Sequence, residues 1–219
     1  MSRLRVAVLA SGRGSNLEAL IEARDRGHLA IEIALVASDR PAARALAVAR
    51  EAAIATHALE PGAFQDRAAF DRALFGDVAR VQPDLIVCAG YMRLISADVV
   101  GAWLGRMINI HPSLLPAYPG LRTHARALAD RAAEHGASVH FVTADLDAGP
   151  VIAQVRIPIA ASDTPERLAA RLLPFEHRLL VATVGLFAAR RVAMAGRTVL
   201  IDGRARERPL ELAADGSLA

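Results

Sequence analysis

The chain has 219 residues, 53% of them hydrophobic, and a formal net charge of +3 at pH 7. That length suits one large domain with a sizeable core, and no uninterrupted apolar run approaches the roughly 18 residues that a membrane span needs. All 26 basic residues are arginine, scattered among Asp and Glu with no long basic run, which argues against a nucleic-acid binder.

The first fifteen residues, MSRLRVAVLASGRGS, hold a short apolar run cut off by Ser11-Gly12-Arg13-Gly14. It reads as a first buried strand, 4–10, and not as a signal peptide. Leu17, Leu20 and Ile21 then give helical spacing over 15–26. Residues 31–37 read as a second strand, and 41–51 as a second helix opened by Pro41 in its first turn. A short strand is expected at 54–59, a long amphipathic helix at 64–81, and a fully apolar strand at 84–89. A helix over 99–104 and a strand over 106–110 follow. Strands alternating with helices predict a doubly wound, mostly parallel α/β sheet.

After residue 111 the pattern changes. His111–Gly120 holds three prolines without a clear period and reads as an ordered loop. A helix is expected at 123–131. Residues 137–143 and 151–159 alternate like half-exposed strands, which predicts an antiparallel C-terminal portion. Asp163-Thr164-Pro165-Glu166 opens a helix running towards Arg190. Residues 191–202 suggest a small hairpin, and the last dozen residues read as frayed. With no linker or repeat, the expectation is a single domain over 1–219. Its phosphate-binding half covers about 1–105, and its catalytic half about 106–205.

Two segments carry chemistry. The turn Ser11–Asn16 sits between the first strand and the first helix, where a doubly wound sheet binds ligands. Its glycines permit close backbone approach, and the helix N-terminus favours an anion. The same pattern also serves as a plain tight turn with a helix cap. A dinucleotide fingerprint would place a third glycine where Leu17 stands, and its ribose-binding acid falls late, at Asp39. A single phosphate suits the turn better than a pyrophosphate. The second segment is Asn109-Ile110-His111-Pro112, where alternation puts Asn109 and His111 on one side of a strand. Together with Asp147 in a following loop, this amide and imidazole could stabilise an oxyanion and move a proton. No nucleophile of the chain's own accompanies them. The lone Cys88 lies in a buried strand, so the nucleophile would come from a substrate. His140 alternates with core residues and reads as structural. Metal binding is not expected, because no two His or Cys have ligand spacing. A single cysteine fits a reducing cytoplasm.

LASGRGSNLEAL, AGYMRLIS, MINIHPSLLPAYPGLRTHARAL and EHGASVHFVTADLDAGPVIAQ, in that order, resemble the phosphoribosylglycinamide formyltransferases. The likeness runs from about residue 5 to residue 200. It implies a Rossmann-like formyltransferase fold, with 10-formyltetrahydrofolate as co-substrate and glycinamide ribonucleotide as acceptor, in purine synthesis. It implies that Gly14, Ser15 and Asn16 hold the substrate phosphate and that Glu176 contacts the glycinamide end. Arg67, Met92, Arg93, Leu94 and Ile95 would bind the folate. Thr143, Ala144, Asp145, Leu146 and Asp147 would form the loop over its pterin, and Asn109, His111 and Asp147 the catalytic trio. The chain departs from the family pattern at Leu173 and Pro174, where a glutamine and a regular helix are usual, and at Ala144, where an acid is common. Neither a metal, a nucleic acid nor a membrane is expected as partner, and the chain would act as a monomer or homodimer. The rival readings are a nicotinamide-dependent reductase and a non-catalytic mononucleotide-binding module.

Overall fold

The computed structural model describes residues 3–219. Apolar alternation and β-branched runs build the first five strands: β1 (Leu4–Leu9), β2 (Ile31–Ser38), β3 (Thr56–Ala58), β4 (Leu85–Cys88) and β5 (Met107–His111). They pair in parallel in the order β5-β4-β1-β2-β3. Helices α1 (Ser15–Asp25), α2 (Arg44–Glu51), α3 (Arg67–Arg80) and α4 (Ala97–Ala102) connect them. Both faces of β4 and of Val6–Leu9 in β1 are covered, which is why these stretches are apolar throughout. One cluster, with Leu17, Leu20 and Leu46, packs on one face; another, with Phe70, Leu74 and Trp103, packs on the other.

Two further strands change the direction of the chain. After α5 (Thr123–Ala129), β6 (Glu134–Phe141) pairs antiparallel with β5, and β7 (Val151–Pro158) pairs antiparallel with β6. Helix α6 (Pro165–Ala188) follows. The hydroxyl of Thr164 accepts from the Arg167 N–H, and Pro165 occupies its first turn. The helix continues through Pro174, although proline has no N–H to offer the carbonyl four residues back. Strands β8 (Val192–Ala195), β9 (Thr198–Ile201) and β10 (Arg204–Arg206) form a separate antiparallel sheet.

Two expectations fail. Pro41 does not open α2. The Ala43 N–H donates to the Arg40 carbonyl at 2.9 Å, so Pro41 takes the second position of a turn, which its fixed φ suits equally well. The last residues are not frayed. β11 (Leu210–Glu211) adds to the edge of the large sheet opposite Ala153 and Gln154. Leu210 is buried there, and Arg178 of α6 donates to the Ala214 carbonyl at 2.5 Å.

Strand β6 also starts three residues earlier than its alternation suggested, at Glu134 rather than 137. The extra length contains Gly136. A Cβ there would lie 1.9 Å from the Val155 carbonyl oxygen and 2.6 Å from Leu114 Cδ2, so only glycine lets the backbone of β7, and behind it the tip of Leu114, come this close to the strand. Gly136→Ala is expected to cost about 1–3 kcal/mol or more through overpacking. Chemical denaturation of the purified variant checks this, and an unchanged midpoint would disprove the close approach.

Candidate active site

The antiparallel pairing of β5 and β6 sets Asn109 opposite His140 and His111 opposite Ser138. Residues two apart on a strand share a face, so these four side chains form one patch. Ser138 anchors it. Its hydroxyl donates to the Ser113 carbonyl at 2.7 Å and accepts from the Leu115 N–H at 3.0 Å and the Gln154 amide at 2.9 Å. One donor and two lone pairs are thus all used, and the loop after β5 is fastened down over the patch.

β6 runs against its neighbours, so its exit loop leaves from the far end of β5 and folds back over that strand. It carries Asp147 between two imidazoles. Asp147 Oδ2 lies 3.5 Å from His111 Nδ1, and Oδ1 lies 3.6 Å from His140 Nε2. The Gly120 N–H donates to Oδ2 at 2.8 Å, which ties the two loops together. Asp147 has φ 50, a left-handed conformation that a non-glycine residue adopts only when its surroundings require it.

The ring nitrogens can be assigned from their partners. A carbonyl only accepts, so His140 Nδ1 carries a proton and donates to the Phe141 carbonyl at 2.9 Å. Burial holds His140 below the ordinary imidazole range; the Phe141 carbonyl and Asp147 oppose this, and His111 adds to it. The neutral ring therefore presents a lone pair at Nε2, which accepts from Asn109 Nδ2 at 3.1 Å. That bond fixes which way the Asn109 amide faces and leaves its second N–H free. His111 Nε2 donates to the Tyr118 carbonyl at 3.0 Å, so its Nδ1 faces the Asp147 carboxylate. A proton on Nδ1 converts a lone-pair repulsion there into an ion pair.

Two clefts flank this patch. Arg93, Leu94, Ile95 and Val142 line the first, with the Thr143–Asp147 loop and Asn109. Leu94 and Leu146 stay largely exposed at its walls, which suits a flat, partly apolar ligand. Cys88 also faces this cleft, but burial pushes its thiol up to about 12. It stays neutral near pH 7 and is no nucleophile. The second cleft lies between Arg13, Pro112, His124, Leu173 and Glu176. Gly14 caps α1 at φ 85, and a Cβ there would sit 2.8 Å from Ala45 Cα. The first amides of α1, at Ser15 and Asn16, have no intrahelical partner. The Asn16 side chain lies beside the Glu176 carboxyl. Burial pushes Glu176 up to about 7, and Asn16 and Arg13 hold it from rising further.

The structure thus brings together Asn109, His111 and Asp147, and Gly14, Ser15 and Asn16 with Glu176. Arg93, Leu94, Ile95 and residues 143–147 share one cleft wall. Arg67 and Met92 do not join that wall. Arg67 is exposed on α3 near Asp71, whose carboxyl burial pushes up; bonds from Ser96, and then the charges of Arg67 and Arg93, oppose that rise. The Met92 side chain is exposed, and its N–H donates to Ser11 Oγ at 2.9 Å. Sequence reasoning missed His140; its pairing with Asn109 depends on a strand register that alternation alone does not reveal. It placed Ser11 in the phosphate turn without foreseeing that its buried hydroxyl donates to Asp39 at 2.5 Å, and it missed Asp71, which accepts from the Ser96 N–H at 2.7 Å and so holds the Arg93–Ser96 segment. Among the described residues, no group of three or more His, Cys, Asp or Glu is arranged to hold a metal, and no helix is long and apolar enough to cross a membrane.

The family model described as formyl transferase matches residues 4–184. The chain is a member of the formyl transferase family. It is 43% identical over 212 residues to the Escherichia coli phosphoribosylglycinamide formyltransferase, covering 97% of this chain and 100% of that one. Among solved structures, the phosphoribosylglycinamide formyltransferase of Coxiella burnetii superposes with a TM-score of 0.90 at 46% identity, over 93% of this chain and 95% of that one. Glycinamide ribonucleotide transformylase 1 of Symbiobacterium toebii gives 0.88 at 41%, over 91% and 94%. The mostly parallel sheet with its small antiparallel companion is the Rossmann-like fold of this family.

The position of Glu176 has a measurable consequence for a formyl transferase of this build. Its carboxyl keeps its proton to about pH 7, against an ordinary 4.5. Between those values the folded chain binds more protons than the unfolded one, so this residue's contribution to stability falls as pH rises through that window. Glu176→Gln removes the slope. The unliganded variant is expected to gain on the order of 1–2 kcal/mol over the parent at about pH 8 and little at about pH 5. Denaturant titrations at both pH values test this, and a difference that does not change with pH would refute it.

Proposed function

We propose that this chain transfers the formyl group of 10-formyltetrahydrofolate to the amine of glycinamide ribonucleotide, as a single formyltransferase unit. The carrying observation is the convergence of Asn109, His111 and Asp147 between a partly apolar cleft and a cleft built on a helix N-terminus. The family membership and the near full-length likeness to phosphoribosylglycinamide formyltransferases support the same reading.

In this reading the folate enters the cleft of Arg93, Leu94 and Ile95, with its pterin under the Thr143–Asp147 loop. The ribonucleotide phosphate sits at Gly14, Ser15 and Asn16, and Glu176 faces the rest of that substrate. The amine attacks the formyl carbon, and the carbonyl π electrons move onto oxygen. The free N–H of Asn109 donates to that oxyanion, and the protonated His111 ring offsets its charge. Asp147 holds the imidazolium. Collapse of the tetrahedral species breaks the bond to the folate nitrogen, which takes up a proton while the former amine gives one up; His111 passes it, through water where the atoms are not in contact. The folate carries the one-carbon unit, and the protein supplies placement and charge.

A nicotinamide reading would require Asp39 to meet a ribose. Asp39 is only 4% exposed, and one of its oxygens accepts from Ser11, so it is not offered to a ligand. His111→Ala and Asp147→Ala are each expected to fold normally and to lose about 10²–10³ in turnover. The assay follows the absorbance change when a formyl-folate analogue and glycinamide ribonucleotide are mixed with the enzyme. Near-normal turnover in either purified variant would remove the assignment.

A further inference from the structure

The three-stranded sheet β8–β10 contributes no residue to either cleft wall, yet it touches the loop that carries Asp147. The turn joining β8 to β9 places Arg197 so that its Nη2 donates to the Ala148 carbonyl at 2.9 Å. Ala148 follows Asp147 directly. Within the loop the bonds are long: the Ala148 N–H reaches the Asp145 carbonyl at 3.3 Å, and the Thr143 hydroxyl reaches the same oxygen at 3.4 Å. Ala144, Asp145, Leu146 and Ala148 are exposed, so packing does little to fix this stretch. From outside the loop, Gly120 holds the Asp147 carboxylate and Arg197 holds the next peptide's carbonyl. Asp147 between them is in the left-handed region, a conformation that relaxes when its surroundings loosen.

We infer that Arg197 is a positioning residue for formyl transfer: through the Ala148 carbonyl it keeps Asp147 between His111 and His140 and keeps the loop closed over the first cleft. The inference rests on the proposed reaction. Arg197 is exposed and lies outside both clefts, so it acts without touching substrate. A cationic donor to a carbonyl forms a stronger bond than a neutral one.

Three variants test this: Arg197→Ala, Arg197→Lys, and Arg206→Ala on β10 of the same sheet as a control. For Arg197→Ala, turnover is expected to fall about three- to tenfold, the scale of one such hydrogen bond. KM for the formyl-folate analogue should rise while KM for glycinamide ribonucleotide stays put. The melting temperature should stay within about 2 °C of the parent, as for other surface changes. Arg197→Lys, which keeps one charged donor, should recover much of the loss, and Arg206→Ala should show none. Amide exchange over residues 143–149 is measured on the same samples and should quicken in Arg197→Ala alone. Unchanged kinetics and exchange in Arg197→Ala would overturn the inference, as would an equal loss in Arg206→Ala or an equal rise in both KM values. A parent protein without transferase activity would count against the functional reading, and the exchange data would then decide the tether by themselves.

Discussion

The antiparallel pairing of β5 with β6 is the constraint on which the site depends. In the large sheet β6 alone runs backwards, and this reversal has two effects. It sets Asn109 against His140, and His111 against Ser138, on one face. It also sends the chain out at the opposite end of β5, so the following loop must double back over the strand. Asp147 arrives above His111 and His140 for that reason. In a fully parallel continuation, the loop after β6 would leave from the same end as that of β5 and would not have to fold back over this face.

The charges in this patch are arranged with little waste. Asp147 lies between two imidazoles of opposite character. His140 is deeply buried, uses Nδ1 on a backbone carbonyl, and stays neutral. It serves the carboxamide of Asn109 by fixing its orientation. His111 has an acceptor at each ring nitrogen, the Tyr118 carbonyl and the Asp147 carboxylate, which suits a ring that carries positive charge. One carboxylate thus faces two histidines with different tasks, and the difference comes from what each ring's other nitrogen meets.

Much of this was legible in the chain of letters. The parallel half follows from apolar strands alternating with amphipathic helices, and the boundaries of α1, α6 and the β8–β9 hairpin fall close to their expected places. Asn109 and His111 could be put on one face because alternation is local. His140 could not be recognised: it has the same alternation, and only the cross-strand register distinguishes a site residue from a core one. Asp147 could be picked out as a loop acid, but not the Gly120 and Arg197 bonds that hold its loop, since these join segments far apart in sequence. Pro41 misled because proline fits the second position of a turn as well as the first turn of a helix. β11 was missed because two paired residues are too few to show any period. Their order comes from the edge of β7 and from Arg178.

Ser11 has a consequence of its own. Its single hydroxyl bridges the end of β2, through Asp39, and the segment that begins at Met92. The backbone on either side belongs to the turn at the start of α1. One oxygen atom therefore links the turn at the start of α1 to the segment that leads into the wall of the first cleft. In the proposed reaction, the floors of the folate and ribonucleotide clefts are thus fastened to each other before either molecule binds.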